Sequence, residues 1–449
     1  MHQAPLPVPR NLQQFPELHP PFARPAALAE ANRCLYCFDA PCTAACPTHI
    51  DVPRFIKKIA SGNLAGSARA ILDANILGLS CSRVCPVKVL CEGSCVLHRY
   101  NQKPIEIGRL QRYAMDYFYS HAQTPAAVPP VAVSAHRVAC VGGGPASMAC
   151  AAELRRQGVA TVIFDDRALP GGLNTYGVAE YKLRASDSLR EIEMIRALGV
   201  EFRQVNVGAD VQLKDLENEF SFIFLGVGLG SMDKMGIPGE DAPGVMDALR
   251  FIARYKTHPE FEVGRRVAVI GGGNTAIDAA NAAVRLGAAE VHLFYRRTER
   301  EMPAFGFEYE NSKLEGVRFH WLAQPVEVMV QNGRAAGVRF VETRLSEKDS
   351  SGRRKVVPVS GSYFDFACDM VIPALGQSTL THLLSGTGIE LNHGSVTVDR
   401  ATGRSANPRY FAGGDCVNGG REVVDAVADG KRAAVAIMAA LRAAPSGVE

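Results

Sequence analysis

The chain contains two stretches in which short apolar runs alternate with alanine-rich amphipathic segments. The first stretch comprises RVACVGGG, ASMACAAELRRQG and VATVIFD, and the second comprises RVAVIGGG, NTAIDAANAAVRLG and EVHLFYRR. Each series has the order strand, glycine turn, helix and second strand, which is the repeating unit of a parallel sheet. We therefore predict an α/β protein with two Rossmann-like nucleotide-binding domains.

The first third of the chain has a helical pattern instead, with segments such as DVPRFIKKIASGN and LAGSARAILDAN. Asp51 is expected to cap the start of a helix, with Pro53 in its first turn, where the missing N–H costs little. Proline-rich segments flank this part of the chain. We predict an extended arm over residues 1–30, a helical domain over 31–120 and a linker over 121–135.

Composition and charge are those of an ordinary globular protein. Hydrophobic residues make up 47% of the 449 residues and charged residues 21%. The net charge of +3 argues against nucleic acid as the main partner. No stretch approaches the roughly 18 apolar residues of a membrane span, and the N-terminus does not resemble a secretory signal. We expect a cytoplasmic protein with no membrane partner, whose thiols stay reduced.

Eight of the twelve cysteines lie within residues 34–95, in the spacing C-x2-C-x4-C-x3-C-P followed by C-x3-C-P-x4-C-x3-C. Disulfides conflict with a reducing compartment. Zinc sites are usually built from close pairs such as C-x2-C, and only the first pair has that spacing. Iron–sulfur clusters take several thiolates from one loop, often with proline after the last cysteine, as at Cys46 and Cys85. This pattern favours iron–sulfur clusters over zinc.

The first glycine turn, VACVGGGPAS, places Gly142 and Gly144 directly after an apolar strand. Such a turn lets the backbone approach a pyrophosphate, and the N-terminus of the next helix faces its negative charge. Ser147 occupies the third position of the fingerprint, where a small residue allows close packing of helix and strand. Asp165 ends the second strand, where a carboxylate can accept hydrogen bonds from a ribose.

The second turn, VAVIGGGNTAID, contains Gly271 and Gly273, with Ala276 in the third position. Its second strand ends in Arg296 and Arg297 instead of an acid. Guanidinium groups at this place suit the 2′-phosphate of NADPH, and a pair of solvated arginines is the alternative. NADH therefore stays open.

Near the C-terminus, NPRYFAGGDCVNGG places Gly414 and Asp415 between an apolar strand and a helical pattern. A carboxylate at this position can hydrogen-bond a polyol chain, and the helix N-terminus can face an electron-rich ring. An ordinary acidic turn is the alternative.

These motifs together resemble those of the pyridine-nucleotide-dependent flavoprotein oxidoreductases, over about residues 136–445. In that family the first turn binds FAD, the second binds NAD(P)H and the terminal Gly-Asp contacts the flavin. The resemblance implies FAD roles for Gly142, Gly144, Ser147, Asp165, Gly172, Gly414 and Asp415, and nicotinamide-cofactor roles for Gly271, Gly273, Asn274, Thr275, Arg296 and Arg297. Lys182 stands where the family has an FAD-contacting arginine, so a charge is kept but the bidentate fork is not.

Many flavoproteins of this kind pass electrons to a Cys-x-x-Cys disulfide beside the flavin, and residues 136–449 contain no such pair. Zinc has no redox chemistry, whereas iron–sulfur clusters accept single electrons. The cysteine-rich segment is therefore the expected electron outlet. The main alternative without redox turnover is a zinc-stabilised scaffold that binds nucleotide.

The segments CLYCFDAPCTAACPTHID, GLSCSRVCPVKVLCEGSC and PIEIGRLQRYA resemble the electron-input part of dihydropyrimidine dehydrogenase, which in bacteria is a separate small subunit. The small subunit of glutamate synthase has most of the same layout. The resemblance implies two [4Fe–4S] clusters, one held by Cys34, Cys37, Cys42 and Cys95, the other by Cys46, Cys85, Cys91 and Gln111. Cys81 is then left over, and it is the natural substitute if Gln111 is not a ligand.

The resemblance also completes the predicted organisation. The FAD-binding domain is expected in two parts, residues 136–255 and 371–449, with the NAD(P)H-binding domain over 256–370 between them. Pro303 stands where NADPH-using members have a basic residue, which favours NADH. The predicted function is to pass electrons from NAD(P)H through FAD and both clusters to a flavin-bearing large subunit that interconverts uracil or thymine and their 5,6-dihydro forms. A glutamate-forming large subunit is the alternative, and no catalytic residue for pyrimidine reduction is identified here.

Overall fold

The computed structural model describes residues 15–121, 136–258, 260–348 and 354–443. Residues 1–14 of the predicted arm, residues 122–135 of the predicted linker and residues 444–449 lie outside the described residues.

The described chain folds into helices and strands that alternate after residue 136. The helices are α1 (Arg24–Asn32), α2 (Pro41–Ala44), α3 (Val52–Ala60), α4 (Leu64–Ala74), α5 (Gly78–Val84), α6 (Ile107–Ser120), α7 (Pro145–Arg156), α8 (Leu173–Tyr176), α9 (Ala185–Ala197), α10 (Leu213–Glu219), α11 (Ala248–Thr257), α12 (Asn274–Arg285), α13 (Gly306–Leu314), α14 (Asp415–Asn418) and α15 (Val423–Ala443). The strands are β1 (Arg137–Val141), β2 (Ala160–Asp165), β3 (Glu201–Gln204), β4 (Phe222–Leu225), β5 (Arg266–Ile270), β6 (Glu290–Tyr295), β7 (Arg318–Trp321), β8 (Ala323–Gln331), β9 (Arg334–Lys348), β10 (Arg354–Ala367), β11 (Met370–Pro373), β12 (Leu391–Asn392), β13 (Ser395–Val396) and β14 (Tyr410–Ala412). Three short 3₁₀ helices cover Val96–Tyr100, Glu299–Glu301 and Thr381–Leu384.

The N-terminal part is helical, as predicted. Asp51 caps α3 by accepting a hydrogen bond from the backbone N–H of Arg54 at 3.1 Å, and a proline lies in the first turn. The extended conformation predicted for residues 1–30 is wrong for residues 24–30, which belong to α1 (Arg24–Asn32). A proline in the first turn and the alanines that follow favour this helix, and Ala27 and Ala31 are fully buried.

Two parallel sheets form the rest of the core and confirm the predicted α/β class. The first has the strand order β14-β4-β1-β2-β3 and the second has the order β11-β5-β6-β7. All of their pairings are parallel. The first sheet therefore takes its edge strand β14 from beyond the second sheet in sequence. The domain boundaries stay a prediction.

A three-stranded antiparallel sheet, β10-β9-β8, lies between β7 and β11 in sequence. The sequence motifs did not predict this sheet. Its buried face, which includes Val338 and Phe340, packs with Ile270 and Phe294 of the second parallel sheet. It therefore extends the core on that side.

The end of the predicted arm contacts several parts of the molecule. Phe15 is buried and stacks on Tyr255 at 5.5 Å between ring centroids. Glu17 forms ion pairs with Arg112 of α6 and with Arg184, just before α9. No described helix is both long enough and apolar enough to span a membrane.

Candidate functional site

The first glycine turn joins β1 to α7, and two glycines at this place have no room for a side chain. Gly142 has a φ of +92°, and a Cβ there would lie 2.5 Å from the carbonyl oxygen of Gly226. Gly172 has a φ of +55°, and a Cβ there would lie 2.8 Å from the Cα of Gly144. Backbone thus packs directly on backbone, which leaves the peptide groups of the turn close to the N-terminus of α7, as a pyrophosphate site needs.

Ser147 lies in the first turn of α7 and is fully buried. Its hydroxyl has no hydrogen-bond partner within the described part of the chain, and a Cβ on Gly226 would lie 2.3 Å from its Oγ. The small side chain therefore permits close contact between the helix and the segment after β4.

Asp165 lies at the end of β2, beside the turn. Its Oδ2 accepts a hydrogen bond from the backbone N–H of Gly143, and its Oδ1 accepts one from Arg167 N at 2.8 Å. Burial raises the pKa of Asp165, and these two hydrogen bonds oppose that effect. The carboxylate is thus held at the turn, and its contact with a ribose stays a prediction.

Gly414 and Asp415 are brought to the same edge of the sheet as the first turn. β14 and β1 both flank β4, so their carboxyl ends meet. Gly414 has a φ of +76°, and a Cβ there would lie 3.1 Å from the Cβ of Ala146 in α7. Asp415 Oδ1 accepts from Arg421 N at 3.1 Å, and burial raises the pKa of Asp415. The two predicted FAD motifs therefore lie together at one edge of the sheet.

The second glycine turn joins β5 to α12. Gly271 has a φ of +150°, and a Cβ there would lie 2.3 Å from the carbonyl oxygen of Ala374, whereas Gly273 has open space around it. Asn274 Oδ1 accepts a hydrogen bond from Phe305 N at 3.0 Å, which fixes the start of α12. Thr275 follows in the first turn of that helix.

Arg296 and Arg297 directly follow β6, at the carboxyl end of the second sheet. Arg296 is exposed and Arg297 is half-buried. Neither guanidinium group makes an ion pair or hydrogen bond with a residue that the structure describes. Two cations without an acidic partner beside the second turn are suited to binding an anionic group such as a phosphate.

Lys182 connects the two nucleotide-binding halves. Its Nζ lies 2.7 Å from Asp278 Oδ1 in α12 and 2.7 Å from Glu308 Oε1 in α13. Burial lowers the pKa of Lys182, but the charges of these two carboxylates raise it overall. Tyr181 also donates to Asp278 Oδ1, at 2.8 Å. The structure thus gives the lysine an ionic role, and its predicted contact with FAD stays a prediction.

The thiols predicted to hold the first cluster are neighbours. Burial, together with the nearby Cys34 and Cys95 thiols, raises the pKa of Cys42 to about 12. Burial also raises the pKa of Cys34, and the Cys37 and Cys95 thiols add to this. A metal ligand must be a thiolate, so these groups need a nearby cation to ionise, which is what iron would supply.

The thiols of the second predicted set are neighbours as well. A hydrogen bond with Cys81 raises the pKa of Cys85, and burial and the Cys91 and Cys46 thiols raise it further. Burial likewise raises the pKa of Cys91, with contributions from Cys46 and from Cys42 of the first set. The two sets therefore adjoin.

Of the two candidates for the eighth ligand, Cys81 lies in α5 and Gln111 of α6 contacts the start of α5. Gln111 is buried, and its Nε2 donates to the Gly78 carbonyl at 2.9 Å. Cys81 is also buried and accepts a hydrogen bond from Asn75 Nδ2 at 3.2 Å. Within the described ranges, no group of three or more Cys, His, Asp or Glu side chains is placed to hold a single metal ion. The ligand assignment stays a prediction.

A buried glutamate that the motifs missed links the second thiol set to the FAD half. Glu191 of α9 accepts hydrogen bonds from Leu79 N at 2.8 Å, from Ser80 N at 3.0 Å and from the Ser80 hydroxyl. It thereby caps α5, the helix that carries Cys81 and leads into Cys85. An acid in a helical pattern such as SLREIEMIRA is ordinarily expected to face solvent, so no sequence signal indicates this contact.

The second thiol set also borders α15. The Lys431 ammonium donates to the Ala74 carbonyl, and burial lowers the pKa of Lys431 while the nearby Cys46 thiol opposes that effect. The Cys46, Cys85 and Cys91 set therefore lies on the FAD side of the helical part.

The fold and the site define a flavoprotein-type NAD(P)H oxidoreductase with an added iron–sulfur part. Residues 136–430 match the family described as pyridine nucleotide-disulphide oxidoreductase, and residues 11–123 match the one described as dihydropyrimidine dehydrogenase domain II, 4Fe-4S cluster. Because the first match covers more than half of the sequence, the chain belongs to the pyridine nucleotide-disulphide oxidoreductase family. The predicted cofactors, FAD, NAD(P)H and iron–sulfur, are confirmed by these matches.

Two relatives and one solved structure show how far the similarity extends. The glutamate synthase [NADPH] small chain of Escherichia coli K12 is 38% identical over 95% of this chain and 93% of its own length. The NADP(+)-dependent formate dehydrogenase subunit beta of Moorella thermoacetica is 36% identical over 90% of this chain and 60% of its own length. Mycobacterium tuberculosis FprA in complex with NADPH has a TM-score of 0.57 at 22% identity, covering 70% of this chain and 86% of FprA, which shows a shared fold.

Proposed function

We propose that this chain is the electron-input subunit of a two-subunit oxidoreductase. It takes electrons from NAD(P)H and delivers them to a large partner subunit. The observation that carries the proposal is the presence, in one chain, of two glycine turns of the nucleotide-binding type and of two adjoining sets of cysteines, most of them half-buried.

When bound, FAD accepts a hydride from NAD(P)H, and two [4Fe–4S] clusters accept electrons one at a time. Gly142, Gly144 and Gly172 make room for the pyrophosphate of FAD, and Asp165 and Asp415 accept hydrogen bonds from its hydroxyl groups. Gly271 and Gly273 make room for the pyrophosphate of the nicotinamide cofactor, and Arg296 and Arg297 bind its phosphate groups.

The proposed ligands are divided between a cluster nearer the FAD half and a cluster farther from it. We assign Cys46, Cys85, Cys91 and Gln111 to the cluster nearer the FAD half, since α5 is capped by Glu191 and Cys46 adjoins Lys431. Cys34, Cys37, Cys42 and Cys95 hold the outer cluster. Glu191 fixes the distance between the inner thiols and the FAD half.

The partner is proposed to be a glutamate-forming large subunit. On the sequence motifs alone, this subunit was the alternative to a pyrimidine-reducing one. It is supported by the glutamate synthase small chains, which match this chain over more than nine-tenths of both lengths.

A pyrimidine-reducing large subunit is the second candidate. Two observations favour it: the name of the family that matches residues 11–123, and the buried Gln111 in PIEIGRLQRYA, which corresponds to the glutamine ligand that the resemblance implies. The two candidates require the same circuit within this chain and differ only in the subunit that receives the electrons.

Reconstitution with each large subunit tests the proposal. The chain is co-expressed with the glutamate-forming or the pyrimidine-reducing large subunit of its own organism and purified without oxygen. We expect NAD(P)H-dependent glutamate formation by the first complex and no uracil consumption by the isolated chain, which should still reduce ferricyanide. Uracil turnover by the complex with the pyrimidine-reducing subunit would identify that subunit as the partner, in place of the glutamate-forming one. Uracil turnover by the isolated chain would refute the two-subunit scheme.

A further inference from the structure

Two large apolar side chains are exposed in the loop that holds the outer thiols. Phe38 is 100% exposed and Leu35 is 56% exposed. Both lie between cysteines assigned to the outer cluster, in the segment CLYCFDAPC. Phe38 is more exposed than any other large apolar side chain among the residues that the structure describes. Its place beside a redox site suggests that another surface covers it.

Basic side chains adjoin this loop. Lys57 of α3 lies over the ring of Tyr36, 4.6 Å from its centroid. On the same helix, Arg54 and Lys58 line a surface cavity of about 400 Å³ together with Arg69 of α4. None of these four cations forms an ion pair with any residue in the described ranges. These four side chains therefore add unpaired positive charge to the surface, which also carries the exposed Asp39 directly after Phe38.

The excess of positive charge is concentrated in this part of the chain. Residues 31–120 contain 11 Lys and Arg against 6 Asp and Glu, whereas the whole chain contains 49 against 46. A positive surface with an apolar centre is complementary to a partner surface that has acidic residues around an apolar pocket.

The position of this surface also identifies the kind of partner. The inner thiols adjoin α9 and α15 of the FAD half, and the outer thiols lie in the loop that carries Phe38. If these thiols hold the two clusters, an electron passed from the inner cluster to the outer one would leave the chain near this loop. Electron transfer slows steeply with distance, so an acceptor must bind close to it.

We propose that the large subunit docks, through an acidic surface with an apolar centre, on the face formed by Leu35, Phe38, Arg54, Lys57, Lys58 and Arg69. This inference rests on the proposed function and names the surface through which it is carried out. Phe38 is its central contact, and the basic residues steer the encounter.

Binding measurements with variants of the complete, cofactor-loaded chain test the inference. The affinity for the glutamate-forming and the pyrimidine-reducing large subunits is measured at low and high salt for wild type, Phe38→Ala and Lys57→Glu/Lys58→Glu. Leu314→Ala, which removes a side chain that is 87% exposed on α13, and Lys214→Glu, on α10, are the matched controls. Iron content and NAD(P)H–ferricyanide activity are recorded for every variant.

We expect Phe38→Ala to weaken binding at least about tenfold, as for a central aromatic contact. Lys57→Glu/Lys58→Glu should weaken it at low salt and reduce its salt dependence. Iron content, ferricyanide activity and both controls should resemble wild type. If the wild type binds a large subunit and both test variants bind as tightly as the controls, the docking face is wrong while the proposed function stands. If the wild type binds neither large subunit, the proposed function fails and the docking face with it.

Discussion

The hydrogen bonds between Glu191 and α5 lead to a specific prediction about stability. The carboxylate is the acceptor for two backbone N–H groups, at 2.8 and 3.0 Å, and for the Ser80 hydroxyl, all of them buried. Replacing it by alanine leaves these donors without a partner. A buried donor left unsatisfied costs roughly 1–3 kcal/mol, so Glu191→Ala should lower the stability of this interface by about 3–5 kcal/mol.

Glutamine should be tolerated much better at this position. Burial raises the pKa of Glu191 from its ordinary value of 4.5 to about 7, although hydrogen bonds from Ser80 and Leu79 oppose the rise. The protonated acid is therefore well accommodated, and glutamine has the same shape with one acceptor and one donor. Glu191→Gln should cost less than about 1 kcal/mol.

The raised pKa of Glu191 also predicts that the stability of the folded protein depends on pH. Because the folded-state pKa lies above the unfolded value, the stabilising contribution of Glu191 is fully present below pH 4.5 and is lost as the pH rises through about 7. The shift corresponds to about 3 kcal/mol between the two limits. Glu191→Gln should remove this component of the pH dependence.

Hydrogen exchange of the α5 peptide, measured between pH 6 and 8 with correction for the intrinsic rate, tests these statements. Glu193→Ala is the control, because Glu193 lies on the same helix and is exposed. Protection of α5 should fall strongly in Glu191→Ala, change little in Glu191→Gln, and be unaffected in the control. Wild-type protection in Glu191→Ala would refute the proposed capping role.

Three further changes have defined outcomes. Lys182→Met leaves the carboxylates of Asp278 and Glu308 without a cation and should lower the free energy of unfolding by about 3–5 kcal/mol in denaturant titrations. The exposed Lys214→Met should leave it unchanged, and equal stability of the two variants would contradict the ionic role of Lys182. Cys46→Ser should remove about half of the iron while FAD absorbance is retained, and an unchanged iron content would show that the ligand assignment is wrong. Arg296→Ala/Arg297→Ala should lower kcat/KM for NADPH about tenfold or more and that for NADH much less; an equal loss with both would exclude a 2′-phosphate contact.

The glycine turns show what local sequence can predict. Gly142 and Gly271 each adopt a positive φ and sit against a carbonyl oxygen at a distance that no Cβ could tolerate. Such a constraint is imposed within a few residues of the strand that precedes it, so the motif alone reveals it. The two parallel sheets followed from the same patterns.

Contacts between distant segments were not predictable in this way. Lys182 is separated from Asp278 and Glu308 by about a hundred residues, and Glu191 is equally far from Ser80. Each acid occupies a helical pattern in which a solvent-exposed residue is the ordinary expectation. Their burial depends on how the helices pack, and a single sequence does not contain that information. The conformation of Arg24–Asn32 was missed for a simpler reason, because the neighbouring prolines outweighed a short alanine-rich run.

The proposed electron path requires that the clustered thiols hold iron–sulfur clusters that take electrons from the flavin. Metal and sulfide analysis of the anaerobically purified chain, combined with its spectrum before and after addition of NAD(P)H, tests it most directly. We expect about eight iron atoms and eight sulfides per FAD, and broad absorbance beyond the flavin bands that bleaches on reduction. Zinc in place of iron, or no metal at all, would contradict it.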